Sequence, residues 1–149
     1  MRLLVQRVKH ASVEVDSEII GKIEAGVLVF LGVRKGDVDA DIAWLANKLV
    51  NLRMFRDDNG KMNRSLQDVR GEVLIVSQFT LYSDCSQGRR PDFFAAAEPS
   101  VAEAMYHQFV EKVRTLLGKV ETGRFGALMQ VSLVNDGPVT FIIDGKHAV

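Results

Sequence analysis

The stretch that constrains this chain most is Val27 to Val33, VLVFLGV, which is apolar without alternation. Successive side chains of a strand point to opposite faces, so an unbroken apolar run implies a strand buried on both faces. Glu72 to Ser77 (EVLIVS) reads as a second central strand. Strands of this kind must be covered, and two segments have the spacing to do it. Ile42, Leu45, Leu49 and Leu52 fall on one helical face, behind Asp39 and Asp41, either of which can cap the N-terminus. From about Val101 to Leu117, residues Val101, Met105, Phe109, Val113 and Leu116 form another apolar face, and Gly118 stops that helix.

Further strands are predicted at Leu3 to Lys9, Ser12 to Val15 and Ile19 to Ile23, with Asp16-Ser17-Glu18 as a hairpin turn. Two more are expected at Ala127 to Val134 and Val139 to Asp144. Asp57-Asp58-Asn59-Gly60 is a turn signal, and Ser83 to Pro99 is a long irregular stretch. The expectation is one α/β domain over residues 1–149, a mostly β framework with two principal amphipathic helices packed on it. Several strands could leave open edges, which favours pairing between subunits.

Charge narrows the classes of partner. Nineteen basic residues balance nineteen acidic ones, so any RNA contact must be made by a local patch rather than by the whole surface. The single cysteine, Cys85, excludes an internal disulfide and a cysteine-based zinc site. It reads as a free thiol or as a nucleophile, and nothing near it in sequence would activate it. The opening MRLLVQRVKH is charged too early for a signal peptide, and no run reaches membrane-spanning length. A cytoplasmic protein is expected, with no membrane partner, no metal and no cofactor. His10, His107 and His147 stand apart from one another and from any serine or cysteine motif, and no dinucleotide, P-loop, nucleophile-elbow or zinc-helix signature is present.

Three segments hold candidate chemistry. Ser77-Gln78-Phe79-Thr80-Leu81-Tyr82 lies where a buried strand turns polar. It could present hydroxyls, an amide and backbone N–H groups to a ligand, or simply satisfy a strand end. Asn135-Asp136-Gly137-Pro138-Val139-Thr140 has the chemistry of a hairpin loop. Alternatively, Gly-Pro gives close backbone approach and a cis bond. Gly88-Arg89-Arg90-Pro91, together with Arg53, Arg56, Lys61, Arg64 and Arg70, is either solvated charge or the first place to seek phosphate contacts.

Taken together, MRLLVQRVKHASVEVD, GVLVFLGV, NLRMFRDDNGKMNRSL, VLIVSQFTLY, GRRPDF and GRFGALMQVSLVNDGPVTFIID resemble the bacterial D-aminoacyl-tRNA deacylase family over essentially the whole chain. The resemblance implies a homodimer with active sites at the subunit interface, acting on aminoacyl-tRNA held by its terminal adenosine. It implies that Ser77, Gln78, Phe79 and Thr80 line the catalytic pocket. Gly137 and Pro138 would form a cis-proline motif inserted from one subunit into the other's site, with Arg7 holding the motif in orientation. Phe125 and Met129 match positions near the substrate. An aminoacyl ester is already activated, so a positioned water and backbone stabilisation of the oxyanion suffice, and the resemblance implies help from the tRNA 2′-hydroxyl. Thr80 as a nucleophile is the alternative mechanism. Two other functions remain open on the residues alone: an interface-sited hydrolase of a small metabolite, and a non-catalytic RNA-binding module.

Overall fold

A computed structural model describes residues 1–146 of the chain; His147 lies outside the described residues. The framework is a six-stranded sheet. Strand β1 (Arg2–Val15) runs its full length against β8 (Gln130–Asp144) on one edge. Its other edge pairs with β3 (Gly26–Gly32) along the first half and with β2 (Glu18–Ile23) along the second. Beyond β3 come β6 (Glu72–Ser77) and β7 (Glu121–Thr122), both parallel to their neighbours. Parallel neighbours need long crossovers. Helix α1 (Asp39–Asn51) lies in the first crossover, and α3 (Pro99–Leu117) lies in the second. The first also carries a small hairpin of β4 (Phe55–Arg56) and β5 (Met62–Arg64), followed by the one-turn α2 (Leu66–Val69). Among the described residues no helix is long and apolar enough to cross a membrane.

The double-faced strands behave as their sequences demand. On β3, Val27, Val29 and Leu31 join the core beneath α1 and α3, while Leu28 enters a second core on the opposite face. On β6, Val73 and Ile75 face the helices, and Leu74 and Val76 face away from them. Leu45, Leu49, Phe109 and Val113 close the first core from the helix side. The second core is closed by the sheet curling on itself. Gly21 of β2 sits so close to β7 that a Cβ there would lie 2.5 Å from the Thr122 carbonyl oxygen, so only glycine allows this approach.

Strand β1 serves both cores through a bulge. Val8 pairs with Asn135 and His10 with Val134, so one extra residue, Lys9, interrupts the ladder. An inserted residue flips the side chains that follow to the other face. Leu3 and Val5 therefore join the helix-side core, whereas Ala11 and Val13 join the second. The break expected between Leu3–Lys9 and Ser12–Val15 is this bulge within one strand.

Three local expectations are corrected. The N-cap of α1 is Val38, not an aspartate; Asp41 acts from inside the first turn, its carboxylate accepting from the Val38 N–H at 3.3 Å. Helix α3 begins at Pro99, which suits a first helical position because its missing N–H is not needed there. Val101 is left outward, with Met105, Phe109 and Val113 buried. The two strands expected at Ala127–Val134 and Val139–Asp144 are the single strand β8.

Candidate active site

Strand β6 ends at Ser77, beside Leu31 of β3. The Gln78 N–H donates to the Leu31 carbonyl at 2.8 Å, which ties the departing chain to the sheet. Phe79–Tyr82 then form a 3-10 turn. Inside it the Gln78 amide Nε2 donates to Thr80 Oγ1, which fixes both polar side chains. The N–H groups of Phe79 and Thr80 donate to no backbone carbonyl among the described residues, as expected for the opening of a helical turn. Phe79 is 58% exposed, an unusual state for a large apolar side chain. Its ring meets Phe93 edge-on, with centroids 5.0 Å apart.

Phe125 and Met129 flank this end of β6 from opposite faces. Phe125 packs against the helix-side core and against Tyr106, with ring centroids 5.9 Å apart. The Tyr106 hydroxyl donates to the Ile75 carbonyl at 2.9 Å, and burial pushes its pKa up to about 12. Met129 packs on the second core, its Sδ filling the space over Gly123.

A second cluster lies on β8. Gln6 pairs with Thr140 and Val8 with Asn135, so two steps along β1 answer five along β8. The surplus is a bulge carrying Asp136, Gly137 and Pro138, and the Gly137–Pro138 bond is cis. It is a bulge in the middle of a strand, not a hairpin loop. Arg7, 3% exposed, holds it from beneath. The Arg7 Nε–H donates to the Asp136 carbonyl at 3.2 Å and lies 3.3 Å from the Asp136 carboxylate, and Nη1 donates to the Met54 carbonyl at 2.7 Å. Asn135 staples the base, its Nδ2 donating to the carbonyls of Arg7 at 2.9 Å and Val139 at 3.0 Å. Gly137 has φ 133°, and a Cβ there would fall 2.7 Å from Val139 Cγ2 and 3.2 Å from Arg7 Nη2. Both Gly137 and Pro138 are exposed.

The two clusters do not meet within one chain. Arg7 shares a row with Val27 and Val73, whereas Ser77 shares one with Leu31, Leu3 and Ile143. Four residues along β6 and three strand spacings across to β8 put them roughly 20 Å apart.

The remaining candidates are scattered. Arg89 and Arg90 are exposed on a loop closed by paired hydrogen bonds between Asp84 and Asp92, both 2.8 Å. Arg64 pairs with Asp58 at 3.1 Å, and Arg53 donates to Asn63 at 3.3 Å, while Arg56, Lys61 and Arg70 are exposed. His107 pairs with Glu103 at 3.8 Å on the surface, and His10 and Cys85 are exposed. Among the described residues no three His, Cys, Asp or Glu side chains gather as a metal would require. Sequence reasoning overlooked Phe93, the Asn135 side chain and Tyr106. Only Asn135 carried a signal, and turn chemistry accounted for it equally well.

The sequence profile of the D-Tyr-tRNA(Tyr) deacylase family matches residues 4–144. The D-aminoacyl-tRNA deacylase of Thermosipho africanus is 58% identical over 146 residues, covering 98% of each chain. That of Bacillus cytotoxicus is 54% identical over 146 residues, covering 98% of this chain and all of its own. Among solved structures, the c-Myc DNA unwinding element binding protein superposes with a TM-score of 0.92 at 40% identity, over 97% of this chain and 99% of its own. On this match of sequence and fold, the chain belongs to the D-Tyr-tRNA(Tyr) deacylase family.

Proposed function

We propose that the protein hydrolyses the ester between a D-amino acid and tRNA, as a homodimer whose sites are each built from two chains. The observation that carries this reading is the separation of two clusters that are incomplete alone. One is a polar turn with free N–H groups, and the other is an exposed bulge held rigid by a buried arginine. Roughly 20 Å apart in one chain, they combine only if the bulge of one subunit enters the pocket of another.

In that arrangement Ser77, Gln78, Phe79 and Thr80 surround the ester. The N–H groups of Phe79 and Thr80 face the carbonyl oxygen and stabilise the charge that develops on it when water attacks. The ribose 2′-hydroxyl of the tRNA assists proton transfer, so no side-chain nucleophile is needed. Thr80 Oγ1 already accepts from an amide, which cannot act as its base. Gly137 and Pro138 of the partner subunit present carbonyls to the α-ammonium group, with Arg7 holding them in place. Once the ammonium and the ester are both fixed, the hand of the α-carbon decides where the side chain points. A D side chain leaves toward solvent, and an L side chain runs into the motif. Glycine, having no side chain, escapes this filter, so glycyl-tRNA is a substrate as well. Phe125 and Met129 support the pocket from either side of β6.

The test compares labelled D-tyrosyl-tRNA, L-tyrosyl-tRNA and a free D-tyrosine ester. Hydrolysis of the first alone is expected. Binding of tRNA without turnover would establish an RNA-binding module instead, and hydrolysis of the free ester alone would establish a small-metabolite hydrolase. The shared site has its own test, in which Gly137→Ala chains are mixed after dissociation with chains of a Ser77–Thr80 variant, such as Gln78→Ala, once each is shown to be inactive alone. Random pairing gives mixed dimers with one intact site each, about a quarter of all sites. Recovery near that level is expected, and none would refute a site shared between chains.

A further inference from the structure

Phe94 is 77% exposed and belongs to neither core. Its position is nonetheless fixed. The Asp92 carboxylate accepts from the Phe94 N–H at 2.8 Å, and the next residue's carbonyl accepts from the Lys35 N–H at 3.0 Å. The segment is tied down again where the Ala97 N–H donates to the Val33 carbonyl at 3.0 Å. Lys35 Nζ stands over one face of the Phe94 ring, 3.9 Å from its centroid, which leaves the other face to solvent. An outward aromatic ring held this firmly is poised for a flat partner.

The surroundings identify that partner. Phe94 follows Phe93, whose ring meets Phe79 edge-on, so the exposed ring is next in the chain to a residue that packs on the candidate site. Lys35 puts positive charge against it, and Arg89 and Arg90 stand exposed on the Asp84–Asp92 loop that leads into it. The two aspartates of the same loop, Asp84 and Asp92, are engaged by the N–H groups of Ser86 and Phe94. An aromatic platform flanked by cations is the arrangement that holds unpaired nucleotides, because any base can stack and the cations meet its phosphate. A protein partner would make less use of the cations.

Resting on the deacylase reading above, we infer that Phe94 and Lys35 form a stacking platform for the nucleotide preceding the terminal adenosine of the tRNA. The adenosine lies in the Phe79 pocket, and its neighbour's base stacks on the free face of Phe94. The platform acts on binding of the unpaired 3′ end and not on the ester itself.

The test uses two substrates, D-tyrosyl-tRNA and the D-tyrosyl ester of adenosine, which lacks the stacked nucleotide. Phe94→Ala should raise KM for the tRNA about tenfold, near the lower end for losing one stacked base, with kcat kept. The adenosine ester should not share that loss, and Phe94→Tyr, which keeps the ring, should restore the tRNA KM. Equal losses on both substrates would overturn the platform, as would no loss on either. So would a change in sedimentation mass of Phe94→Ala, which would place Phe94 in the subunit interface. These results leave the deacylase reading standing; hydrolysis of neither substrate by the unmodified protein would remove that reading and the platform with it.

Discussion

Arg7 is where the architecture is most exposed to a single change. Replacing it with alanine removes the donor to the Met54 carbonyl at 2.7 Å and the bond to the Asp136 carbonyl at 3.2 Å. Met54 is fully buried, so its carbonyl would be left without a partner, at about 1–3 kcal/mol. The ion pair with Asp136 adds less, because that carboxylate is 42% exposed and water screens it. We therefore expect Arg7→Ala to destabilise the protein by about 3 kcal/mol, the lower end of the range for breaking a wholly buried pair. In a chain of this size that lowers Tm by about 10 °C. Asp136→Asn, which keeps the backbone carbonyl that Arg7 uses, should cost less than about 1 kcal/mol.

Activity should fall further than stability. Once unsupported, the bulge can drift, and a displacement of about 1 Å at a reacting centre can cost about 100-fold in rate. The assays are urea melts of Arg7→Ala, Asp136→Asn and the double variant, alongside kcat/KM on D-tyrosyl-tRNA well below each melting point. Arg7→Ala losing under about 1 kcal/mol, or retaining wild-type kcat/KM, would refute the view that Arg7 anchors the bulge from beneath.

Thr80→Ala should keep kcat within about tenfold of wild type, since loss of a true nucleophile can cost on the order of a million-fold; a trapped aminoacyl-Thr80 adduct would reverse that assignment. Replacing Arg89 and Arg90 together with alanine should flatten the dependence of log KM for tRNA on log salt by about 1.5, and an unchanged slope would remove this loop from the RNA surface. The chain's two tyrosines give a pH prediction. Burial raises both, Tyr106 to about 12 and Tyr82 also upward. Their folded pKa values exceed the unfolded value, so their contribution is complete below pH about 10 and is lost as pH rises toward the folded values. Ultraviolet titration should show no tyrosinate step in the native protein at pH about 10, with both groups ionising there in urea; a native step at that pH would contradict their burial.

Much of this fold was legible because its strands obey strong one-dimensional rules. VLVFLGV and EVLIVS could be buried only on both faces, and they stand as neighbouring parallel strands with a core on each side. The helices were equally plain from the spacing of Leu45, Leu49, Phe109 and Val113. The sequence was weakest wherever a local signal has two tertiary outcomes. Asn-Asp-Gly-Pro suits a hairpin loop as well as a bulge, and what decides is pairing with β1 more than a hundred residues earlier. Spacing and residue type alone gave Arg7 no role, and only the family resemblance tied it to Gly137 and Pro138. Once that pairing is known, it is a side chain that holds both Met54 and Asp136. Ser77 to Thr80 pose the reverse problem, since their residue types announced polarity at a strand end but gave no sign of their distance from Gly137. That distance follows from strand order and register together, with β3 and β1 lying between β6 and β8. On the reading proposed above, the two clusters lie on separate strands of one sheet, and a second copy of the chain is what would bring them together.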